Sequence, residues 1–387
     1  MKKNYYLCVV LLLTNLLVQA QYPIGHRSVT YTDPARSNRS VSTEIYYPAT
    51  TAGESTTVAT GQFPLIVFGH GFVMAYSAYA YFKDAMVPLG YIVVFATTET
   101  GISPVHADFG ADLAFLINQL KAEGANSSSP FYNTVATTSA IFGHSMGGGS
   151  SFLACANNIV PTCMVTMAAA NTTPSSITAA QQVTIPALVL SGEVDCVADP
   201  ATNQLPMYDS LASECKVFIS IKGGCHCYFA DYNLNCTFGE QTCDVYPPLA
   251  RADQEDATLD YVKLYLDYYL KGNVTSWTVF NDSLAASPRI TYQESCISTE
   301  IKKNNIAAAI SVWPNPVSDV IYVEINAIGD YKLNVVDILG KKIISGPIVK
   351  SNSIHTETIN ISGLQNGLYF VEIEMNGMKV FRRFLKD

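Results

Sequence analysis

Apolar residues occur in short continuous runs along the first two thirds of the chain. The runs lie at residues 63–69, 91–95, 139–142, 163–167, 185–190 and 216–221. Runs without polar alternation are typical of strands that are buried on both faces of a parallel sheet. The preceding part, residues 27–70, indicates strands joined by polar turns. We therefore predict a mainly parallel central sheet.

Between these runs, apolar residues recur at helical spacing. They are Phe109, Leu113, Leu116, Ile117 and Leu120 in one segment, and Leu259, Val262, Tyr265, Leu266 and Tyr269 in another. These segments predict helices over 107–121 and 253–271, and Gly272 suits the C-cap of the second. Strand and helix alternate through most of residues 60–272, which predicts a doubly wound α/β domain.

The pattern changes after residue 272. Residues 273–310 have weak periodicity, and from residue 311 short strands alternate with turn residues. We place a boundary near residues 305–310 and predict a small all-β sandwich domain after it. Residues 273–296 suit either a cover over a site or a link between domains.

The N-terminus has the pattern of a secretory signal peptide. Lys2 and Lys3 precede a mostly apolar stretch at residues 5–17, and Val18-Gln19-Ala20 resembles a cleavage site. We predict a signal peptide over residues 1–20, which is too short in its apolar part to span a membrane comfortably. No later segment reaches about 18 apolar residues. The mature chain is therefore expected to be soluble, without a transmembrane segment.

Composition narrows the classes of function. The 387 residues are 49% hydrophobic and 14% charged, which favours a large folded core over disorder. The formal net charge is −9. An acidic chain is a poor partner for a phosphate backbone, so nucleic acid is not expected as a partner.

The stretch Gly143-His144-Ser145-Met146-Gly147-Gly148-Gly149 follows an apolar run and precedes a helix-like segment, 150–156. Gly-x-Ser-x-Gly between a strand and a helix is typical of a nucleophile elbow, where glycines permit a sharp turn around an exposed serine. We predict that Ser145 is a catalytic nucleophile.

A serine hydroxyl needs a base, and the expected chain order is Ser, acid, His. Of the six histidines, His226 alone follows Ser145 before the predicted β domain. Asp195, just after the run at 185–190, is the predicted acid that orients His226. Glu193 and Asp199 remain alternatives for this role.

The developing oxyanion needs preorganised donors. We expect one from the backbone N–H of Met146 and one from that of Phe72, in the segment His70-Gly71-Phe72 that follows an early strand. His70 is expected to support this loop rather than to take part in the chemistry.

Residues 25–272 resemble secreted α/β-hydrolases of the dienelactone hydrolase, chlorophyllase and cutinase-like PET hydrolase groups. The matching stretches are FPLIVFGHGF, GHSMGGGSS, GEVDCVADP and GGCHC. The resemblance implies an α/β-hydrolase fold, and it implies that Phe72, beside Gly71, forms an aromatic wall of the substrate site. The related enzymes carry a tryptophan where this chain has Ala168-Ala169-Ala170-Asn171-Thr172.

The last 75 or so residues resemble the C-terminal sorting domain of the type IX secretion pathway. The matching motifs are Trp313-Pro314-Asn315-Pro316, Asp337-Ile338-Leu339-Gly340-Lys341 and Leu364-Gln365-Asn366-Gly367-Leu368-Tyr369, followed by Arg382, Arg383 and Lys386. The resemblance implies recognition by the secretion machinery and a secreted or cell-surface location. The expected organisation is a catalytic domain over 21–296, a linker over 297–310 and a sorting domain over 311–387.

Nine cysteines follow the predicted signal peptide: Cys155, Cys163, Cys196, Cys215, Cys225, Cys227, Cys236, Cys243 and Cys296. In an oxidising compartment an odd number indicates up to four disulfides and one free thiol, with buried free thiols as the alternative. We hypothesise a bridge from Cys225 or Cys227 to Cys196 or Cys215, which would join the acid and base loops. Cys236 and Cys243 are candidates for a small closed loop.

The sequence thus predicts a secreted, monomeric serine hydrolase that cleaves carboxylic esters through an acyl-enzyme, without metal or organic cofactor. A peptidase or amidase on the same fold is one alternative, because leaving-group preference depends on the pocket. A non-catalytic cell-surface binding protein is the other.

Overall fold

A computed structural model describes residues 21–156, 161–241, 243, 248–296, 310–325, 329–337, 341–351, 355–375 and 378–387. The predicted signal peptide and nearly all of the predicted linker lie outside these ranges. The chain divides into two compact units, one within residues 1–296 and one within 297–387. Within the described ranges, no helix combines the length and the apolar character that a membrane crossing requires.

The described strands of the first unit form one sheet. They are β1 (Ile24–Asp33), β2 (Arg39–Pro48), β3 (Gly53–Glu54), β4 (Phe63–Gly69), β5 (Ile92–Ala96), β6 (Val135–His144), β7 (Cys163–Met167), β8 (Ala187–Gly192), β9 (Cys215–Ile221) and β10 (Ile290–Cys296). The spatial order is β10-β9-β8-β7-β6-β4-β5-β2-β1-β3. The strands from β9 to β5 in this order are parallel, and β2 and β10 join them antiparallel.

Helices cover both faces of this sheet. They are α1 (Ala80–Met86), α2 (His106–Ala125), α3 (Met146–Ala156), α4 (Ser176–Ala180), α5 (Gln204–Ser210), α6 (Leu234–Glu240), α7 (Arg251–Lys271) and α8 (Val274–Ala286). Along β4, Leu65 and Val67 pack into one hydrophobic core, whereas Ile66 and Phe68 pack into the other. Because both faces are buried, the strand needs apolar residues at every position.

The segment 273–296 completes the first unit. Gly272 ends α7 in a left-handed conformation (φ 69°), as predicted. In α8, Phe280 and Leu284 pack into a core of the sheet, and β10 pairs with β9. This segment therefore belongs to the α/β unit.

The described strands of the second unit form two antiparallel sheets. They are β11 (Ile310–Trp313), β12 (Val320–Ile325), β13 (Gly329–Val336), β14 (Lys342–Ser351), β15 (His355–Asn360), β16 (Gly367–Met375) and β17 (Met378–Lys386). The sheets are β11-β12-β15 and β14-β13-β16-β17. Residues of both sheets, including Ile321 and Val371, share one core. The predicted fold class, a mainly parallel α/β unit followed by a small all-β unit, is confirmed.

Candidate active site

The turn between β6 and α3 places Ser145 at the carboxyl edge of the sheet. Ser145 has φ 54°, in the left-handed region that non-glycine residues rarely adopt. Its N–H donates to the carbonyl of Met167 at 3.0 Å, and its carbonyl accepts from the N–H groups of Gly149 and Ala170, each at 3.0 Å. The unusual conformation is thus held by bonds to β7 and α3.

Two glycines allow this turn to form. A Cβ on Gly143 would lie 2.3 Å from the carbonyl oxygen of Gly147, and a Cβ on Gly147 would lie 2.1 Å from that of Gly69. Both distances are far below a van der Waals contact. The glycines therefore permit β4, β6 and α3 to approach closely around Ser145.

The structure brings Ser145, Asp195 and His226 together from the ends of three strands. His226 Nε2 lies 2.9 Å from Ser145 Oγ, and His226 Nδ1 lies 2.8 Å from Asp195 Oδ2. The exposed fractions are 8% for Ser145, 3% for Asp195 and 2% for His226. Removal from water strengthens these hydrogen bonds and fixes their geometry.

Local hydrogen bonds orient the carboxylate of Asp195. Its Oδ1 accepts from the N–H groups of Val197 at 3.0 Å and Ala198 at 2.8 Å, which leaves Oδ2 facing His226. The two alternative acids make other bonds. Glu193 accepts from the N–H of Gly223 at 2.8 Å, and Asp199 accepts from that of Ala201 at 2.8 Å.

The loop after β4 carries Gly71 and Phe72 to the same edge of the sheet. Gly69 pairs with Gly143 in adjacent parallel strands, so this loop and the amino end of α3 with Met146 lie side by side. The side chain of Phe72 is 48% exposed. Its ring is therefore open to solvent at this edge.

Buried and strained groups fix this loop. His70 is fully buried, with Nδ1 2.8 Å from the carbonyl of Gly71 and Nε2 2.8 Å from that of Thr98, and burial lowers its pKa. These contacts fit the supporting role predicted for His70. Val73 has φ 54°, a costly value for a β-branched residue. Its carbonyl accepts from the side-chain amide of Asn235 at 2.8 Å.

The hypothesised cysteine pairings are wrong. The disulfides are Cys196–Cys243, Cys215–Cys296 and Cys227–Cys236, and Cys155, Cys163 and Cys225 are free thiols. Three bridges and three thiols therefore replace the expected maximum of four bridges and one thiol.

The physical reason lies in the backbone around His226. A bridge from either Cys225 or Cys227 to the acid loop suits an extended segment, in which both side chains would point the same way. Instead, His226 has helical angles (φ −65°, ψ −55°) and Cys227–Phe229 is a 3₁₀ turn. The thiols of Cys225 and Cys227 therefore do not point the same way. Cys227 pairs with α6, and Cys196 pairs with Cys243 just beyond it. The acid and base loops are thus joined through the segment around α6 rather than to each other.

Two charged side chains that the sequence did not indicate also hold the histidine loop. Glu240 accepts from the N–H of Cys227 at 2.7 Å. Arg251 donates to the carbonyl of Cys227 at 2.5 Å and to that of Ala230, and its guanidinium lies 4.3 Å from the ring centre of Tyr228. Both lie on later helices, and no motif marks them.

The arrangement has the components of acyl transfer. It has a hydroxyl next to a buried imidazole, a carboxylate behind that imidazole, and a helix N-terminus beside the hydroxyl. Within the described residues, no three His, Cys, Asp or Glu side chains are grouped so that they could hold a metal ion.

Comparison with known families gives two matches. Residues 22–243, more than half of the chain, match the family described as PET hydrolase-like. Residues 311–387 match the secretion system C-terminal sorting domain. The second match bears out the sorting domain inferred from the motifs and indicates export to the cell surface or the medium.

Proposed function

The chain belongs to the PET hydrolase-like family, and from this premise we propose that it cleaves carboxylic esters through an acyl-enzyme formed on Ser145. Family membership supports an exported hydrolase that acts on esters. The observation that carries the finer proposal is the continuous pair of hydrogen bonds from Ser145 Oγ through His226 to Asp195, at 2.9 and 2.8 Å.

In the first half-reaction, His226 Nε2 accepts the proton of Ser145 as the hydroxyl oxygen attacks the ester carbonyl. Asp195 keeps the Nδ1 proton in place and stabilises the imidazolium that forms. The backbone N–H groups of Phe72 and Met146 hold the oxyanion. When the tetrahedral intermediate collapses, His226 gives its proton to the leaving alcohol.

In the second half-reaction, water attacks the acyl-enzyme with His226 as the base. The acid is released, and the proton returns to Ser145. This route requires no metal or organic cofactor. The exposed ring of Phe72, with Gly71 beside it, forms one wall for the acyl group.

The walls of the site bear on the choice of substrate. Residues 168–170 after β7 are three alanines, two of them fully buried. They offer no aromatic surface in the loop after β7, so we expect short acyl esters to be turned over more readily than an aromatic polymer. A panel of short-chain esters, long-chain lipids, polyesters and peptides tests this choice.

The direct test compares wild type with Ser145→Ala on a short p-nitrophenyl ester. We expect Ser145→Ala to lower kcat by about 10⁴ to 10⁶, because the nucleophile is lost. Ser151→Ala is the matched control: Ser151 is also buried on α3, but its hydroxyl donates to the carbonyl of Gly147. It should retain most of the activity. Ester turnover that is absent from wild type, or that persists in Ser145→Ala, would contradict the proposal.

A further inference from the structure

Three loops of the candidate site meet at one buried chain of hydrogen bonds. The hydroxyl of Tyr79, directly before α1, lies 2.8 Å from the backbone nitrogen of Gly71 and 3.0 Å from His144 Nδ1. His144 Nε2 lies 3.1 Å from the backbone carbonyl of His226. Tyr79 and His144 are both fully buried. This hydrogen-bond chain therefore runs from the loop of Phe72, through the residue before Ser145, to the loop of His226.

The direction of each bond in this chain follows from its two ends. The carbonyl of His226 can only accept, so His144 Nε2 carries a proton. Burial lowers the pKa of His144 well below its usual value, so the ring is neutral and its Nδ1 is an acceptor.

The other end of the chain is fixed in the same way. The N–H of Gly71 can only donate, so the oxygen of Tyr79 accepts from it and the hydroxyl proton points elsewhere. Met74 Sδ lies 3.5 Å from that hydroxyl, but a thioether is a weak acceptor. The hydroxyl therefore donates to His144 Nδ1. Each member of the chain has one role, and no proton is free to reverse it.

We propose that Tyr79 and His144 are positioning residues, which set the oxyanion loop and the base in register with Ser145. This inference rests on the proposed function. Gly71 directly precedes Phe72, whose N–H is a proposed oxyanion donor. His144 holds the backbone carbonyl of His226, and the side chain of this same His226 places its Nε2 2.9 Å from Ser145 Oγ.

The rings of His144 and His226 also pack against each other, with centroids 4.9 Å apart. A displacement of about 1 Å in such an array can cost about 10²-fold in rate. The hydrogen-bond chain therefore sets the positions of the reacting groups relative to one another, although Tyr79 and His144 are buried behind them and do not themselves react.

The test is Tyr79→Phe, which removes the hydroxyl and keeps a ring that packs 4.5 Å from that of Phe68. The matched control is Tyr91→Phe. Tyr91 is also fully buried, and its hydroxyl donates to Asp267 at 2.7 Å. It directly precedes β5, whereas Ser145 follows the carboxyl end of β6. We expect Tyr79→Phe to lower kcat about 10- to 100-fold with KM changed less than about threefold. Tyr91→Phe should keep kcat within about twofold of wild type, even if its melting temperature falls as far as that of Tyr79→Phe.

A second readout does not depend on turnover. In protein labelled with ¹⁵N-histidine, NMR should show His144 neutral and protonated at Nε2, and Tyr79→Phe should shift the Nδ1 resonance because its hydrogen bond is lost. His144→Leu should lower kcat, and the double variant Tyr79→Phe/His144→Leu should be no worse than the more damaging single change, because both break one chain.

The outcomes separate this inference from the proposed function. If wild type lacks ester turnover, the proposed function fails and the positioning role with it, whatever the NMR spectrum shows. If wild type is active but Tyr79→Phe matches Tyr91→Phe in kcat, the positioning role is overturned and the proposed function stands. A wild-type His144 protonated at Nδ1 would also overturn it.

Discussion

The backbone around Gly147 is packed so closely that one added carbon atom would disturb the candidate site. In Gly147→Ala, the new Cβ would lie 2.1 Å from the carbonyl oxygen of Gly69 and 2.7 Å from that of His70. Backbone atoms cannot swing aside, so β4 and α3 would have to separate. We expect a loss of about 1–3 kcal/mol or more in the free energy of unfolding, with a fall in ester hydrolysis.

Gly101→Ala is the control for this change, since nothing lies within 4 Å of its added Cβ. It should change neither stability nor activity appreciably. Chemical unfolding and kcat of both variants check the prediction. Equal stability of the two variants would show that the contact of β4 with α3 can relax.

The chemistry-bearing residues differed in how far the sequence could indicate them. Ser145 lies in a recognisable turn, and chain order then restricts the choice of Asp195 and His226. Tyr79 has no such mark, because it is one of 23 tyrosines and precedes its partner His144 by 65 residues. Only the packing of α1 against the sheet places its hydroxyl at the site.

Whole elements were predictable where burial is complete. The strand predicted at residues 63–69 matches β4, and that at 163–167 matches β7, because both strands are buried at every position and almost all of their residues are apolar. The edge strand β10 escaped prediction, since most of its residues are exposed and it needs no apolar run. Cysteine pairing also escaped, because it depends on the turn at His226, which the sequence does not reveal.

The disulfides allow an experiment on single elements. In the disulfide Cys196–Cys243, Cys196 directly follows Asp195. The disulfide Cys215–Cys296 joins the start of β9 to the end of β10, whereas His226 follows the other end of β9. We expect each paired Cys→Ser variant to lose about 2–4 kcal/mol of stability. Only Cys196→Ser/Cys243→Ser should also lower kcat, because the loop of Asp195 loses its attachment.

Thermal unfolding and kcat at 25 °C, measured on both double variants, separate the two effects. The bridge between β9 and β10 serves as the control for loss of a disulfide as such. An unchanged kcat in Cys196→Ser/Cys243→Ser would show that the hydrogen bonds of Asp195 hold its loop without the bridge.

At the scale of the whole molecule, each unit has a hydrophobic core of its own. The cores of the first unit lie on the two faces of the ten-stranded sheet, and the second unit shares one core between its two described sheets. Ser145, Asp195 and His226 all belong to the first unit. The two family matches fall in different units: the PET hydrolase-like match over 22–243 lies within the first, and the sorting-domain match over 311–387 lies within the second.

This division predicts that export and ester hydrolysis can be lost separately. In a host with a type IX secretion system, a variant that lacks residues 311–387 should remain inside the cell envelope, because the sorting domain is what the machinery recognises. Purified, it should keep kcat within about twofold, since every proposed catalytic group and the cores around it are retained. Full-length Ser145→Ala should show the reverse, with normal export and no turnover.

Cell fractionation and p-nitrophenyl ester hydrolysis on the two variants measure both properties. A truncated protein that is exported, or that is folded but inactive, would mean that the two units are not functionally separate.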